Sequence, residues 1–337
     1  MRALTYASYG DPSVMHLADV PAPTAGPGEL LIRVAAAGLN PVDALQRSGA
    51  FKLLDPYEFP KIAGNELSGT VEALGPGATG FEVGQAVVAR VGKSALGAIA
   101  ELAAVPAEYV APAPSSIALT DAAGLPLAGL TAQQALGPDH LDLRAGDRLL
   151  ITGAAGGVGQ LAVQLAALAG AHITVTASPE GADVVRALGA HDVIDHRVRR
   201  VSDGPERFDK VLDLVGGETL DDLIGSVGRG GRIVSVAGPP TPGSLGVVAE
   251  GRRRRLVAAV AERLSSRAIL KAARAAGVSY EFFLMHPDGA GLAELVRLVD
   301  SGQLGLTIDS RFTLDEFAPA FERLESRRSK GKVIVEL

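Results

Sequence analysis

LLITGAAGGVG, residues Leu149–Gly159, decides how the rest of this chain is read. A short apolar run enters a turn of small residues, and the turn leads directly into the helix-like stretch GVGQLAVQLAALA at 157–169. Strand, glycine-rich turn and helix in that order set a pyrophosphate on the unpaired backbone N–H groups of a helix N-terminus. Ala155, Gly156, Gly157 and Val158 are the residues expected against such a group. Gly156 lets the backbone approach phosphate oxygens without a Cβ in the way, and Gly159 lets the helix pack close to the strand. The fit is A-x-G-x-x-G, with Ala154 at the usual first glycine and Gly157 as an extra. A glycine cluster alone is weak evidence, so its surroundings have to carry the reading.

Outward from the turn, apolar strands alternate with helices. The strand candidates are Leu149–Thr152, Ile173–Thr176, Val193–Asp195, Lys210–Leu214 and Arg232–Val236; the helices between them are Val158–Ala169, Glu180–Leu188 and Glu218–Val227. Near-continuous apolar strands alternating with helices imply a parallel sheet covered on both faces. Beyond it the pattern predicts a Pro/Gly-rich loop over 239–251, a long helical stretch around Leu256–Ala276 and a strand at Val278–Leu284 that could form a sheet edge. Helices at Gly291–Ser301 and Leu314–Ser326 and a last strand at Lys332–Glu336 follow. The chain before Leu127 is different. Short β-type runs (Glu29–Ala36, Ser68–Leu74, Gln85–Val91) between Gly/Pro-rich turns predict a compact, mostly β domain.

Bulk properties exclude several classes. The 337 residues are 47% hydrophobic and 21% charged, which suits a two-domain globular protein. A net charge of −6 argues against nucleic-acid binding, which needs a basic face. The absence of cysteine removes disulfides, thiolate nucleophiles and thiolate metal ligands together. MRALTYASYGDPS lacks a signal-peptide core, and no apolar run reaches the roughly 18 residues of a membrane span. The expectation is a cytoplasmic protein with no nucleic-acid and no membrane partner. Arg252–Arg255 reads as a solvated basic run beside a helix start, and Phe282 and Phe283 as core or dimer-interface residues.

Six segments together are far more specific than the glycine turn: AAGLNPVDALQRSG (36–49), GNELSGTVEALGPG (64–77), GLTAQQAL (129–136), LLITGAAGGVGQLAVQLA (149–166), LGAHDVID (188–195) and KGKVIVEL (330–337). With them the chain resembles the zinc-independent quinone oxidoreductase-like branch of the medium-chain dehydrogenase/reductase superfamily. The resemblance implies an α/β fold in which a Rossmann-type doubly wound parallel-sheet domain (124–285) is inserted in a GroES-like, mostly β catalytic domain (1–123 and 286–337). It implies NADPH as cofactor, a quinone or α,β-unsaturated carbonyl as small-molecule substrate, and commonly a homodimer. Zinc-dependent relatives place Cys in the segment matching Gly38–Asp43 and His beside Glu in the segment matching Gly64–Glu66. Asn40 and Asn65 stand there in this chain, and neutral amides are poor zinc ligands, so no metal is expected.

The same resemblance names residues, each with a plainer alternative. Asn40 is implied to face the nicotinamide and substrate as the catalytic residue; otherwise it is a turn residue tolerant of unusual φ/ψ. Thr131 is implied to approach the nicotinamide end; otherwise it is helix-start chemistry. Lys332 lies in the tail segment that returns toward the cofactor; otherwise it is a strand-edge lysine. Asp43 and Glu66 suit acid/base work or structural ion pairs equally well. About 20 positions beyond the turn, Thr176–Ser178 holds no carboxylate to repel a 2′-phosphate, and Ser178 can donate to one. The family's nearby Lys and later Tyr match Gly181 and His196. His196, with Arg197 or Arg199, is then the source of positive charge, although Glu180 is close and Arg197–Arg200 also reads as a surface run. Val215–Gly216 and Ala237–Gly238 follow strands at their carboxyl ends, where ligands of open α/β sheets bind. Leu45 stands where the family often has Tyr, which leaves water as the proton source.

The expected function is therefore a metal-free, NADPH-dependent reductase of quinones or α,β-unsaturated carbonyls. The alternatives are a pathway-specific enoyl reductase or tailoring enzyme, and a non-catalytic NADPH-binding protein.

Overall fold

A computed structural model describes residues 1–92, 96–205, 207–217, 219–247, 249 and 251–337. Glu218, the expected first residue of a helix, and Val248 and Glu250 of the 239–251 loop lie outside the described residues. The chain forms two compact units, Met1–Leu130 with His286–Leu337, and Thr131–Met285.

In the Thr131–Met285 unit, six parallel strands lie in the spatial order Asp192–Ile194, His172–Thr176, Arg148–Ile151, Phe208–Asp213, Val227–Ser235, Ser279–Phe282. In chain order that is third, second, first, fourth, fifth, sixth, the Rossmann order. Leu149, Leu150, Ile173, Val175, Val211 and Leu212 are 0% exposed, as a sheet covered on both faces requires. The order reverses between the first and fourth strands, so a crevice opens at their carboxyl ends. The expected helical stretch around Leu256–Ala276 is made of two helices, Gly251–Ser265 and Arg267–Ala276. Buried Ser266 causes the break: its hydroxyl folds back on the Glu262 carbonyl at 2.6 Å, a bond that bends helices. Ser279–Phe282 ends the sheet, in the edge position expected of it.

The other unit holds a mostly antiparallel sheet in the order Ile308–Thr313, Lys332–Glu336, Glu29–Leu39, Glu66–Leu74, Ala86–Arg90, Val110–Pro112, with Leu102–Pro106 also pairing Glu29–Leu39. A three-stranded sheet, Met15–Asp19, Arg2–Tyr6, Lys61–Ile62, completes it. The long central strand Glu29–Leu39 positions the chemistry-bearing residues. Val333 pairs with Leu39 and Ile334 with Gly38, which brings the last strand beside the residue that follows Leu39.

Candidate functional site

In the Thr131–Met285 unit the glycine turn leaves the first strand and enters the Gly157–Leu168 helix, with Gly156 as N-cap at φ −80° and ψ 174°. A Cβ on Gly159 would lie 2.5 Å from Ala154 Cα and 2.6 Å from the Gly153 carbonyl, so close packing of helix on turn demands glycine there. Gly156 is different. A Cβ there would meet only the Gly153 oxygen, at 3.4 Å, and the backbone φ is ordinary, so folding does not require glycine. The space over Gly156 is open, and a backbone bare of Cβ beside unpaired helix N–H groups fits a pyrophosphate. Gly157 and Val158 are partly exposed at that terminus; Ala155 is buried, and its carbonyl accepts from Gln160 Nε2 at 2.9 Å, which ties the turn to the helix.

At the carboxyl end of the second strand, Ser178 is the N-cap of the Pro179–Ala187 helix. The Ser178 hydroxyl already serves Glu180, whose carboxyl it pulls down to about 2, helped by the helix-terminal backbone and by Arg197. Arg197 lies 3.4 Å from both Glu180 and Asp195, so it is the cation the fold places beside Ser178. His196 and Arg199 are exposed, and buried Gly181 carries no charge.

Sequence reasoning missed the residue that ties the crevice together. Asp213, 0% exposed, accepts from the Thr152 hydroxyl (2.8 Å), the Ser235 hydroxyl (2.6 Å), Val215 N (3.2 Å) and Gly216 N (3.1 Å). Ser235 Oγ in turn accepts from Gly238 N at 2.8 Å and Ala237 N at 3.3 Å. One carboxylate thus fixes the loops after the first, fourth and fifth strands, Val215, Ala237 and Gly238 included. The signal was present: a carboxylate closing an otherwise apolar buried strand requires partners.

In the other unit, Asn40 is the N-cap of the Pro41–Ser48 helix at φ −138° and ψ 152°. That is ordinary extended backbone, so tolerance of unusual φ/ψ does not explain it. Its backbone N–H donates to Asp43 Oδ2 at 2.7 Å. Its side chain enters a buried cluster: Nδ2 donates to Glu66 Oε1 (2.7 Å) and to the Gly38 carbonyl (3.2 Å), and Oδ1 accepts from Lys332 Nζ (2.6 Å). Lys332 Nζ also donates to Glu66 Oε1 (2.7 Å) and the Leu39 carbonyl (3.0 Å). The reading of Lys332 as a strand-edge lysine is corrected, because its strand has neighbours on both sides and its side chain is 4% exposed. A Cβ on Gly38 would lie 2.5 Å from Glu66 Oε1, so that glycine makes room for the pair.

The other Glu66 oxygen accepts from Leu127 N at 2.6 Å, in the first turn of the Pro126–Leu136 helix. That helix begins before the GLTAQQAL segment, so buried Thr131 sits mid-helix and has no helix-start role. Asn65 Nδ2 donates to Asp43 Oδ1 and to Gln46 Oε1, both at 2.6 Å. Burial pushes the Asp43 carboxyl up to about 6, against the opposing pull of its hydrogen bonds from Asn65 and Asn40.

Hydrogen counting limits what this cluster can do. An ammonium has three N–H groups and a carboxamide two, and those of Lys332 and Asn40 are all committed. Asn40 Oδ1 retains one acceptor direction. Leu45 is 48% exposed and brings no protic group. Among the described residues no group of three His, Cys, Asp or Glu is placed to hold a metal ion.

Residues 26–115 match the alcohol dehydrogenase GroES-like domain, and residues 188–335 match a family described as zinc-binding dehydrogenase. The chain is 31% identical over 346 residues to the chloroplastic NADPH-dependent alkenal/one oxidoreductase of Arabidopsis thaliana, a match spanning 99% of this chain and 79% of that protein. It is 33% identical over 347 residues to a quinone oxidoreductase of Pseudomonas aeruginosa, covering 99% of each. The structure of the quinone oxidoreductase from Coxiella burnetii superposes with a TM-score of 0.86 at 29% identity, covering 100% of this chain and 99% of that one.

Proposed function

The chain belongs to the quinone and alkenal oxidoreductase branch of the medium-chain dehydrogenase/reductase superfamily, and on that premise we propose that it is an NADPH-dependent reductase of quinones or α,β-unsaturated carbonyls. The observation that carries the reading is the open space over Gly156, at the first strand of a sheet in Rossmann order, where folding itself does not ask for glycine. NADPH bound there supplies a hydride from the nicotinamide C4. The N–H groups of Gly157 and Val158 would hold its pyrophosphate over the bare backbone of Gly156, whose own N–H donates to the Gly153 carbonyl at 3.1 Å, with Ala155 keeping the turn in shape. Ser178 and Arg197, with His196 beside them, take the adenosine 2′-phosphate once Glu180 gives way. Val215, Ala237 and Gly238, locked by Asp213, line the carboxyl ends of the strands.

Asn40 Oδ1 offers one acceptor to a bound N–H group, in the orientation that Lys332 and Glu66 impose. Neither Asn40 nor Lys332 has a hydrogen left for a substrate carbonyl, so water delivers the proton that follows the hydride. We read the reaction as metal-free on the chemistry of the donors. Asn40 is committed to Lys332 and Glu66, and Asn65 to Asp43 and Gln46. The terminal position of the Ser279–Phe282 strand in its sheet supports a homodimer by edge-to-edge pairing, which light scattering checks. A steady-state assay with quinone and enone panels and NADPH tests the activity. Turnover with at least one panel is expected, and none with either overturns it.

A further inference from the structure

The Gly251–Ser265 helix has its sidedness reversed. Its inward side is set by Ala258 and Glu262, each 2% exposed, and the Glu262 carboxylate grips the neighbouring turn through Gly243 N at 2.8 Å and Leu245 N at 2.6 Å. Leu256, Val257, Val260 and Leu264 are 67%, 48%, 51% and 71% exposed. Positions 256, 260 and 264 are four apart and form one stripe on the outer side. A surface helix ordinarily buries such a stripe, and a contiguous exposed one marks an interaction site.

Charge decides what the stripe meets. Arginine occupies 252–255, 263 and 267, and the only carboxylate between 251 and 267 is the inward Glu262, in a chain whose net charge is −6. A second copy on this face would set arginine against arginine in either orientation: parallel pairing stacks 252–255 on itself, and antiparallel pairing sets it against 263 and 267. The counter-surface has to be apolar beneath the stripe and anionic around it. The geometry points to an anionic lipid bilayer, with this helix lying flat at the boundary between headgroups and acyl chains. No helix among the described residues is long and apolar enough to cross a membrane, and a helix lying in the interface need not be. Peripheral attachment of this kind departs from the expectation of no membrane partner. The inference deepens the proposed activity, and rests on it only in making the bilayer a source of apolar quinone or enone.

Sedimentation of the full chain with phosphatidylcholine vesicles, with and without phosphatidylserine, tests the surface. Binding is expected to be about tenfold or more tighter to the anionic vesicles and weakened by salt. Leu256→Glu/Leu264→Glu and Arg252→Glu/Arg253→Glu should each lower it by about tenfold or more, while turnover of a water-soluble quinone without vesicles stays unchanged. Equal or absent binding to the two vesicle types overturns the inference, as does binding that survives both variants. If Leu256→Glu/Leu264→Glu instead splits an oligomer in light scattering and leaves vesicle binding intact, the face belongs to a second copy and the inference fails. Vesicle binding with no turnover on any quinone or enone supports the surface while sinking the activity.

Discussion

Lys332 carries its charge almost wholly out of water, against the buried carboxylate of Glu66, and that sets what its removal costs. Lys332→Met strands an ionised carboxylate in the core and should destabilise the protein by about 3–5 kcal/mol in urea unfolding. Adding Glu66→Gln should recover part of that loss, because the uncompensated charge goes with it; a double variant no better than the single would refute the ion-pair account. Asp43 acts in the opposite sense. Its carboxyl is raised from 3.8 to about 6, so the folded state holds the proton more tightly than the unfolded chain. Below pH ~4 the group is neutral in both states and costs nothing; between ~4 and ~6 the unfolded chain ionises first and stability falls; above ~6 the penalty is complete, roughly 3 kcal/mol. Asp43→Asn should therefore gain stability relative to the wild type by roughly 2 kcal/mol between pH ~4.5 and ~7.5. A difference that stays flat with pH would rule this out. At this scale the sequence singled out Asn40, Asp43, Glu66 and Lys332, but it left acid/base work and ion pairing equal for the two acids. Partner identity depended on strand pairing.

At the level of the element, the two glycines of the turn separate folding from binding. Gly159→Ala drives a methyl into the backbone of Ala154 and Gly153 and should cost about 1–3 kcal/mol or more. Gly156→Ala fits the protein, so unfolding should shift by less than about 0.5 kcal/mol, whereas NADPH affinity measured by calorimetry should drop by about tenfold or more. Undiminished NADPH affinity in Gly156→Ala would remove the pyrophosphate from this turn. Strand and helix positions were legible here because they follow local periodicity. The break at Ser266 was not, since helical spacing continues through it and only a side-chain bond to the Glu262 carbonyl marks the stop. That Glu66 serves the first turn of the Pro126–Leu136 helix was hidden for a related reason, because the two are distant in sequence.

For the molecule as a whole, the last strand carries weight out of proportion to its length. Lys332–Glu336 lies between Ile308–Thr313 and the central Glu29–Leu39 strand, and Val333, Ile334 and Val335 are at most 1% exposed. Deleting residues 332–337 should abolish cooperative unfolding of the unit that contains them, together with turnover. A truncated chain that melts like the full one would show that the sheet closes without this strand.

The sequence by itself determined what is local: the strand–turn–helix of Leu149–Leu168, the alternation that makes a parallel sheet, and the composition that removes thiolate chemistry. These follow from spacing and residue type over short windows, where physical constraints act between near neighbours. Only the tertiary structure decided the rest. Asn40, Glu66 and Lys332 meet across separations of 26, 266 and 292 residues, fixed by strand register and not by any local pattern. The meeting of Ser178, Glu180 and Arg197 and the outward turn of the Gly251–Ser265 stripe likewise needed the packed chain. Which partner a charge finds, and which side of a helix faces water, are properties of the whole fold.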